Sequence, residues 1–202
     1  MEQRTEAWFQ ARLGKATASN FRKVLAKVKS GEAADRRNYR AQLVIERLTG
    51  QQQDSYSNAA MQWGTEQEPF ARIAYMALTG NEVEEVGFVE HECIMAGASP
   101  DGFIGQHGLI EIKCPVSATH IETLKSGVMP AEHMPQVQGQ LWITGRDWCD
   151  FVSYDPRMPD RLQLFITRVG RDADYIDMLA KEVKAFLDEV AAEVESLNKI
   201  AA

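Results

Sequence analysis

Cysteine is scarce in this chain. The three present (Cys93, Cys114 and Cys149) stand at no spacing that suits a disulfide framework or a zinc or iron–sulfur motif. Four histidines, His91, His107, His120 and His133, share no metal-ligand spacing. They read as surface or polar-core residues, with His133 the one that stands near another candidate, Gln136. No apolar run approaches the length of a membrane span, and Glu2-Gln3-Arg4 shows no signal-peptide pattern. Internal repeats and low-complexity linkers are missing as well. Together these absences point to a cytoplasmic protein with reduced thiols. What remains is an ordinary globular composition, 45% hydrophobic and 25% charged over 202 residues, enough for a single domain with a sizeable core.

Positive charge is also in deficit, with a formal net charge of −7. Taken alone, that argues against a polyanionic partner. The distribution changes the reading, because residues 1–47 hold eleven of the 22 lysines and arginines against five acids. Residues 172–202 hold eight acids against three lysines. A basic amino-terminal third can form a nucleic-acid surface, since local potential matters more than total charge. Two solvated helices with a chance bias would look the same.

The most informative stretch is Ser99-Pro100-Asp101-Gly102, followed by Glu111-Ile112-Lys113. Strands at 101–104 and 108–114, joined through Gly105-Gln106-His107, would form a hairpin with a common loop length. In that register Asp101 lies opposite Glu111. Side chains alternate along a strand, so Glu111 and Lys113 share one face while Ile110 and Ile112 point into the core. Two facing carboxylates repel unless positive charge sits between them, and a hard divalent cation prefers oxygen ligands. Asp-Gly by itself is only a turn dipeptide, and Glu-x-Lys could be an exposed edge. Interleaved with apolar residues the two charges must be satisfied, because burying unpaired charge is costly.

Around the hairpin the periodicity predicts helices at 6–13, 20–28, 36–49 and 65–78, the second with the stripe Phe21, Val24, Leu25 and Val28. Short strands follow at 83–90, 94–98, 103–104 and 109–114, then helices at 117–125 and 134–143 and strands at 149–154 and 162–168. A last helix at 173–198 carries an apolar face from Ile176 through Phe186 to Leu197. The expected class is α/β or α+β, a central mixed sheet flanked by helices. Its single domain divides into a mainly helical part (1–80), a sheet-rich core (81–170) and a carboxy-terminal helix (171–202).

SPDG followed by EIK resembles the PD-(D/E)xK nuclease signature, and the whole chain resembles the phage lambda-type, or YqaJ-like, alkaline exonucleases of viral recombination systems. The likeness runs through Arg12-Leu13-Gly14, Thr17-Ala18-Ser19, Trp63-Gly64 with Glu68, the two hairpin motifs, Gln136-Val137-Gln138 and Tyr154-Asp155-Pro156-Arg157-Met158. It implies a restriction-endonuclease-like core in which Asp101, Glu111 and the carbonyl of Ile112 bind magnesium, or manganese in its place. Glu68 and Gln136 would complete the site, and two ions would serve phosphodiester hydrolysis. Lys113 would orient or deprotonate the attacking water, its proton affinity lowered by the cations. Thr65-Glu66-Gln67-Glu68 also fits a helix capping box. By the same resemblance Arg12, Ser19 and Lys29 hold the DNA 5′-phosphate; an ordinary N-cap beside a surface arginine is the plain alternative. Met61 takes the place of a wedge at the terminal base pair, or else packs in the core. One departure is the segment Val116-Ser117-Ala118-Thr119, which has no arginine where some relatives carry one near the DNA.

The resemblance thus implies a magnesium-dependent exonuclease that degrades one strand of linear duplex DNA from 5′ to 3′. It would release 5′-mononucleotides and leave a 3′ strand for a single-strand annealing protein. A ring-shaped homotrimer around the DNA, with no membrane contact, completes the expectation. The alternatives are a related endonuclease or end-processing nuclease, and a non-catalytic DNA-end-binding scaffold. Intact Asp101, Glu111 and Lys113 speak against a scaffold. The missing four-cysteine cluster speaks against one class of end-processing enzymes.

Overall fold

The structure is a computed structural model that describes residues 2–53 and 59–200. In chain order it runs α1 (Glu6–Arg12), β1 (Ala16–Thr17), a 3₁₀ turn (Ala18–Asn20), α2 (Phe21–Val24), α3 (Ala34–Thr49) and α4 (Ala59–Thr79). Then come β2 (Val89–Glu90), β3 (Ala96–Ala98), β4 (Gly102–Ile104), β5 (Gly108–Lys113), α5 (Ser117–Ser126) and α6 (Met134–Thr144). The chain ends with β6 (Trp148–Tyr154), β7 (Leu164–Gly170) and α7 (Ala173–Ile200).

Four strands form the mixed sheet that carries the hairpin, in the order β4-β5-β6-β7, with β5 and β6 parallel and the other pairs antiparallel. A second, three-stranded mixed sheet, β1-β3-β2, brings the amino-terminal segment beside the strand that leads into Ser99. Helices cover both faces of the larger sheet. Ile110 and Ile112 of β5 pack with Ala71 and Tyr75 of α4, while Leu109 packs with Val137 and Leu141 of α6. A strand covered on both faces has no solvated side, so β5 is buried from Gly108 to Ile112, Glu111 included.

The amino-terminal helices and α7 share one core. Phe21, Tyr39 and Leu43 meet Leu179, Val183, Phe186 and Val190, and the Tyr39 and Phe186 rings stack at 5.5 Å. Burial of each such large side chain contributes about 1.5–3 kcal/mol. The stripe expected on the last helix is therefore core, except at its end, where Leu197 is exposed.

Several expected elements differ in extent. The helix at 20–28 is a 3₁₀ turn plus the four residues of α2, and Val28, expected on its apolar stripe, is exposed. Helix α4 is already running at Ala59, six residues before Thr65, and it continues through Pro69. Thr65 is thus interior, with its hydroxyl donating to the Met61 carbonyl at 3.1 Å, and the capping-box reading of Glu68 falls away. The strand at 83–90 reduces to an isolated bridge, Glu84 to Phe103, and the two residues of β2. The strand at 162–168 starts at Leu164, after a 3₁₀ turn at Asp160–Leu162. No helix of the described residues is long and apolar enough to cross a membrane.

Candidate active site

The hairpin has the register read from its sequence. Gly102 pairs with Ile110, Phe103 with Leu109 and Ile104 with Gly108, so Asp101 falls opposite Glu111. Gly105 closes the loop with φ of 53°, a left-handed conformation that an L side chain rarely adopts. The Asp101 amide donates to the Ile110 carbonyl at 3.1 Å, and its Oδ2 accepts the Ile112 amide at 2.6 Å. The acidic side chain is therefore fixed to the strand that carries its two partners.

Glu111 is 1% exposed and faces α6. Its Oε1 meets Lys113 Nζ at 2.5 Å and accepts the Gln136 amide at 2.6 Å, while its Oε2 accepts the Gln140 amide at 2.6 Å. Lys113 Nζ also donates to Gln136 Oε1 at 3.2 Å. Gln136 thus bridges the carboxylate and the ammonium with its two ends. Glu68, on α4, lies within electrostatic reach of Asp101 and Lys113. Its oxygens are taken by Arg4 at 2.6 Å and by Arg72 at 3.0 Å. Among the described residues no three His, Cys, Asp or Glu side chains stand together as a ready metal cage; Lys113 and Arg4 supply the neighbouring positive charge.

Burial pushes the Asp101 carboxyl well above the usual carboxylate range, and the repulsion of Glu111 and Glu68 pushes it further; Lys113 opposes this only in part. For Lys113, burial works against the charged form, but the attraction of Glu111, Asp101 and Glu68 outweighs it and the pKa is raised. The lowered proton affinity expected of Lys113 depends on cations beside it; the protein's own neighbours act in the opposite direction. Cys114, half-buried next to the same carboxylates, has its thiol pushed up to about 12 by burial first and Glu68 second.

The second constellation lines a cleft of about 860 Å³ bounded in part by Trp8, Arg12, Lys15, Ser19, Lys23 and Met61. Arg12 is no loose surface arginine. Its guanidinium lies 3.9 Å from the Trp8 ring centroid and donates to Ser99 Oγ at 3.2 Å. Burial lowers its pKa, against the pull of Tyr39 and Glu46, so a partly desolvated cation faces the cleft. Gly14, two residues on, holds the turn open with φ of 66°. Its amide donates to Glu46 at 2.9 Å, its carbonyl accepts from Arg47 at 2.9 Å, and an added Cβ would stand 2.8 Å from the Arg47 side chain. Ser19 is exposed in the 3₁₀ turn with its hydroxyl 3.2 Å from that of Thr17, and it makes no cap bond. Met61 is 54% exposed on the lining, not in the core. Lys29 sits in an exposed bend outside that lining.

Asp101, Glu111 and Lys113 do not line this cleft. The connection is Ser99, two residues before Asp101, which accepts from both Arg12 and Trp8 Nε1, the latter at 3.0 Å. Ser99 belongs to the SPDG motif yet gave no sign of contact with the amino-terminal helix, because that contact spans 87 residues. Gln140 was legible only as the residue one helical turn after Gln136. Arg157 belongs to the Tyr154-Asp155-Pro156-Arg157-Met158 motif. Its guanidinium is fixed by Asp155 at 2.6 Å and the Pro115 carbonyl at 3.0 Å, over the Trp63 ring at 4.5 Å.

The histidines behave as read. His120 is buried between Ser153 Oγ and the Leu162 carbonyl, and His107 pairs with Asp147 on the surface. His133 stacks on Phe151, and its pKa is lowered by burial and then by Lys113.

No curated protein matches the chain. Two crystal structures of the alkaline exonuclease LHK-Exo from Laribacter hongkongensis, one in complex with dAMP, are 53% and 54% identical to it. Each covers 98% of both chains with a TM-score of 0.91. A phage-related exonuclease from Haemophilus somnus 129PT, 17% identical over 91% of this chain and 96% of that one, shares the fold with a TM-score of 0.69. Residues 7–147 match the family of YqaJ-like viral recombinase domains, which takes in the cleft, the hairpin and Gln136 together. The chain belongs to that family of viral recombinase domains.

Proposed function

We propose that this nuclease is a magnesium-dependent 5′-to-3′ exonuclease acting on the ends of linear duplex DNA. The observation that carries the reading is the Arg12–Ser99 bond, which joins a basic cleft to the carboxylate hairpin. A cleft that holds a terminal phosphate beside a hydrolytic site makes cleavage start at the 5′ end and proceed inward.

The donor chemistry fits a hard cation. Asp101, Glu111 and Glu68 are oxygen donors that act on one another electrostatically, with the Ile112 carbonyl on the same strand, and Asp101 is destabilised by its neighbours' charge. Magnesium, or manganese in its place and with room for two ions, would polarise the scissile phosphate and activate water. The chain's own residues do the rest. Lys113, held by Glu111 and Gln136, orients the attacking water with its ammonium. Arg12 and Ser19 bind the 5′-phosphate, with Ser99 bonded to Arg12 and Lys29 joining from the exposed bend outside the cleft lining. Met61, exposed on the lining, is available to stack against the terminal base pair. Release of 5′-mononucleotides is in keeping with a relative solved in complex with dAMP. A homotrimeric ring, a single-strand annealing partner for the 3′ product and a cytoplasmic location are parts of the proposal that rest on the family likeness.

The test is digestion of 5′-phosphorylated, 5′-hydroxyl and circular duplex DNA side by side, with magnesium or with chelator, following mononucleotide release. Only linear DNA with magnesium should be consumed, the phosphorylated form fastest. Arg12→Ala should narrow the difference between the two linear forms, and Glu111→Ala should abolish release. Cleavage of circles would favour an endonuclease. End binding with no release in magnesium would favour a scaffold.

A further inference from the structure

Two amides on α6 grip Glu111, and the hydrolytic reading uses only one of them. Gln136 and Gln140 are four residues apart, so they lie on one face of the helix, a turn apart. Gln136 donates to Oε1, the oxygen that also meets Lys113, whereas Gln140 donates to Oε2 at 2.6 Å. The two oxygens are thus held differently: one beside the ammonium, the other against a residue 1% exposed in the core.

The orientation of the Gln140 amide is forced. Reversed, it would set a carbonyl oxygen against a carboxylate, with no donor between them. With its donor end on Glu111, its own Oε1 is left buried without a hydrogen-bond partner. A buried acceptor without a partner costs about 1–3 kcal/mol, and a leucine or methionine would fill the same space without that loss. Packing alone does not account for a glutamine here. The gain lies in what its N–H does to Glu111.

We propose that Gln140 is a positioning residue that anchors Oε2 of Glu111, so that Glu111 presents Oε1, on the side of Lys113 and Gln136, as its one cation-facing oxygen. This rests on the reading that Glu111 binds a divalent cation. Without the Gln140 donor the carboxylate can turn about its terminal bond, and the oxygen set loses its fixed aim. Partners that orient a metal-binding side chain typically change metal affinity by about 10–100-fold when removed.

The experiment is calorimetric titration of Mn²⁺ into the full-length protein without DNA, for wild type, Gln140→Leu and Gln140→Met, with thermal melts of each in chelator. Cleavage against magnesium concentration is followed in parallel. The expected result is a Kd for Mn²⁺ about tenfold or more weaker in both variants. Both variants should still fold, with melting temperatures lowered because Oε2 of Glu111 loses its donor, and half-saturation by magnesium should rise with the same ratio. Unchanged Mn²⁺ affinity in folded variants overturns the role of Gln140 and leaves the cation reading standing. Loss of folding in both variants also overturns it, since Gln140 would then be structural. Failure of wild type itself to bind Mn²⁺ removes the cation reading and this proposal together.

Discussion

Acidic residues gather in two places in this molecule, along the seam between α3 and α7 and at the β4–β5 hairpin, and their neighbours treat them in opposite ways. At the seam Arg36 meets Glu189 with two nitrogens at 2.7 and 2.8 Å and Glu32 at 2.7 Å. Arg40 pairs with Glu32 and reaches Glu193 at 3.2 Å. Hydrogen bonds from Arg40 hold Glu32 below the usual glutamate range, and those from Arg36 do the same for Glu189. At the hairpin Asp101 is pushed the other way, by burial and by Glu111 and Glu68, with Lys113 and the Ile112 amide opposing this in part. At the seam Glu32, Glu189 and Glu193 are each bonded to an arginine, and the pairs join two helices. At the hairpin Asp101 bonds to a backbone amide and is raised by burial and two neighbouring acids, a local charge mismatch that costs stability. Perturbed groups of the second kind cluster at functional sites.

The sharpest way to break this contrast is Asp101→Asn, which keeps the shape and an acceptor for the Ile112 amide while deleting the charge. Cleavage should fall by at least about 100-fold, as when an electrostatic group is lost from a reacting site. Stability at neutral pH should rise by about 1 kcal/mol, within the range for relieving strain of this kind. A lower melting temperature for this variant would show that the hairpin was not mismatched at all.

Arg4→Ala is a milder probe. Its guanidinium is about half exposed and occupies Glu68 Oε2 at 2.6 Å, so removing it should tighten Mn²⁺ binding about two- to fivefold, the equivalent of one exposed ion pair. Weaker binding would mean that Arg4 supports the site and does not compete with a cation there.

The smallest effect belongs to the seam. Glu189→Gln should lower stability by no more than about 1 kcal/mol, because the pair is solvent-accessible and screened. The folded pKa of Glu189 is depressed, so its contribution is present above the unfolded value and lost as pH falls through the folded one. The gap in melting temperature between this variant and wild type should therefore close as pH drops below the ordinary glutamate value of 4.5. A gap that persists in acid, or that has the same sign as the Asp101→Asn change, would erase the distinction between the two clusters.

How much of this was legible beforehand follows contact distance along the chain. The hairpin was readable because its turn, its register and the alternation of faces are local, and Asp101 does fall opposite Glu111. The apolar stripe on α7 was readable because a helical period survives whatever it packs against. The extent of α4 was not, since Thr65 carries a cap's signature yet lies well inside a helix that is already running at Ala59. Gln140 was missed for a different reason. A glutamine on a helix has no role until the helix docks, and only docking of α6 on the Glu111 face of β5 turns its N–H toward the carboxylate.

The sequence by itself determined the chemistry on offer: two carboxylates and a lysine on one hairpin, and a basic amino-terminal third. Those follow from side-chain identity, strand alternation and turn geometry, which act over a few residues. The tertiary structure alone decided which charges are mismatched, which oxygen of Glu111 is anchored, and that Arg12 reaches the hairpin through Ser99. Burial and distance between remote segments set those outcomes, and neither exists until the sheets and helices have packed.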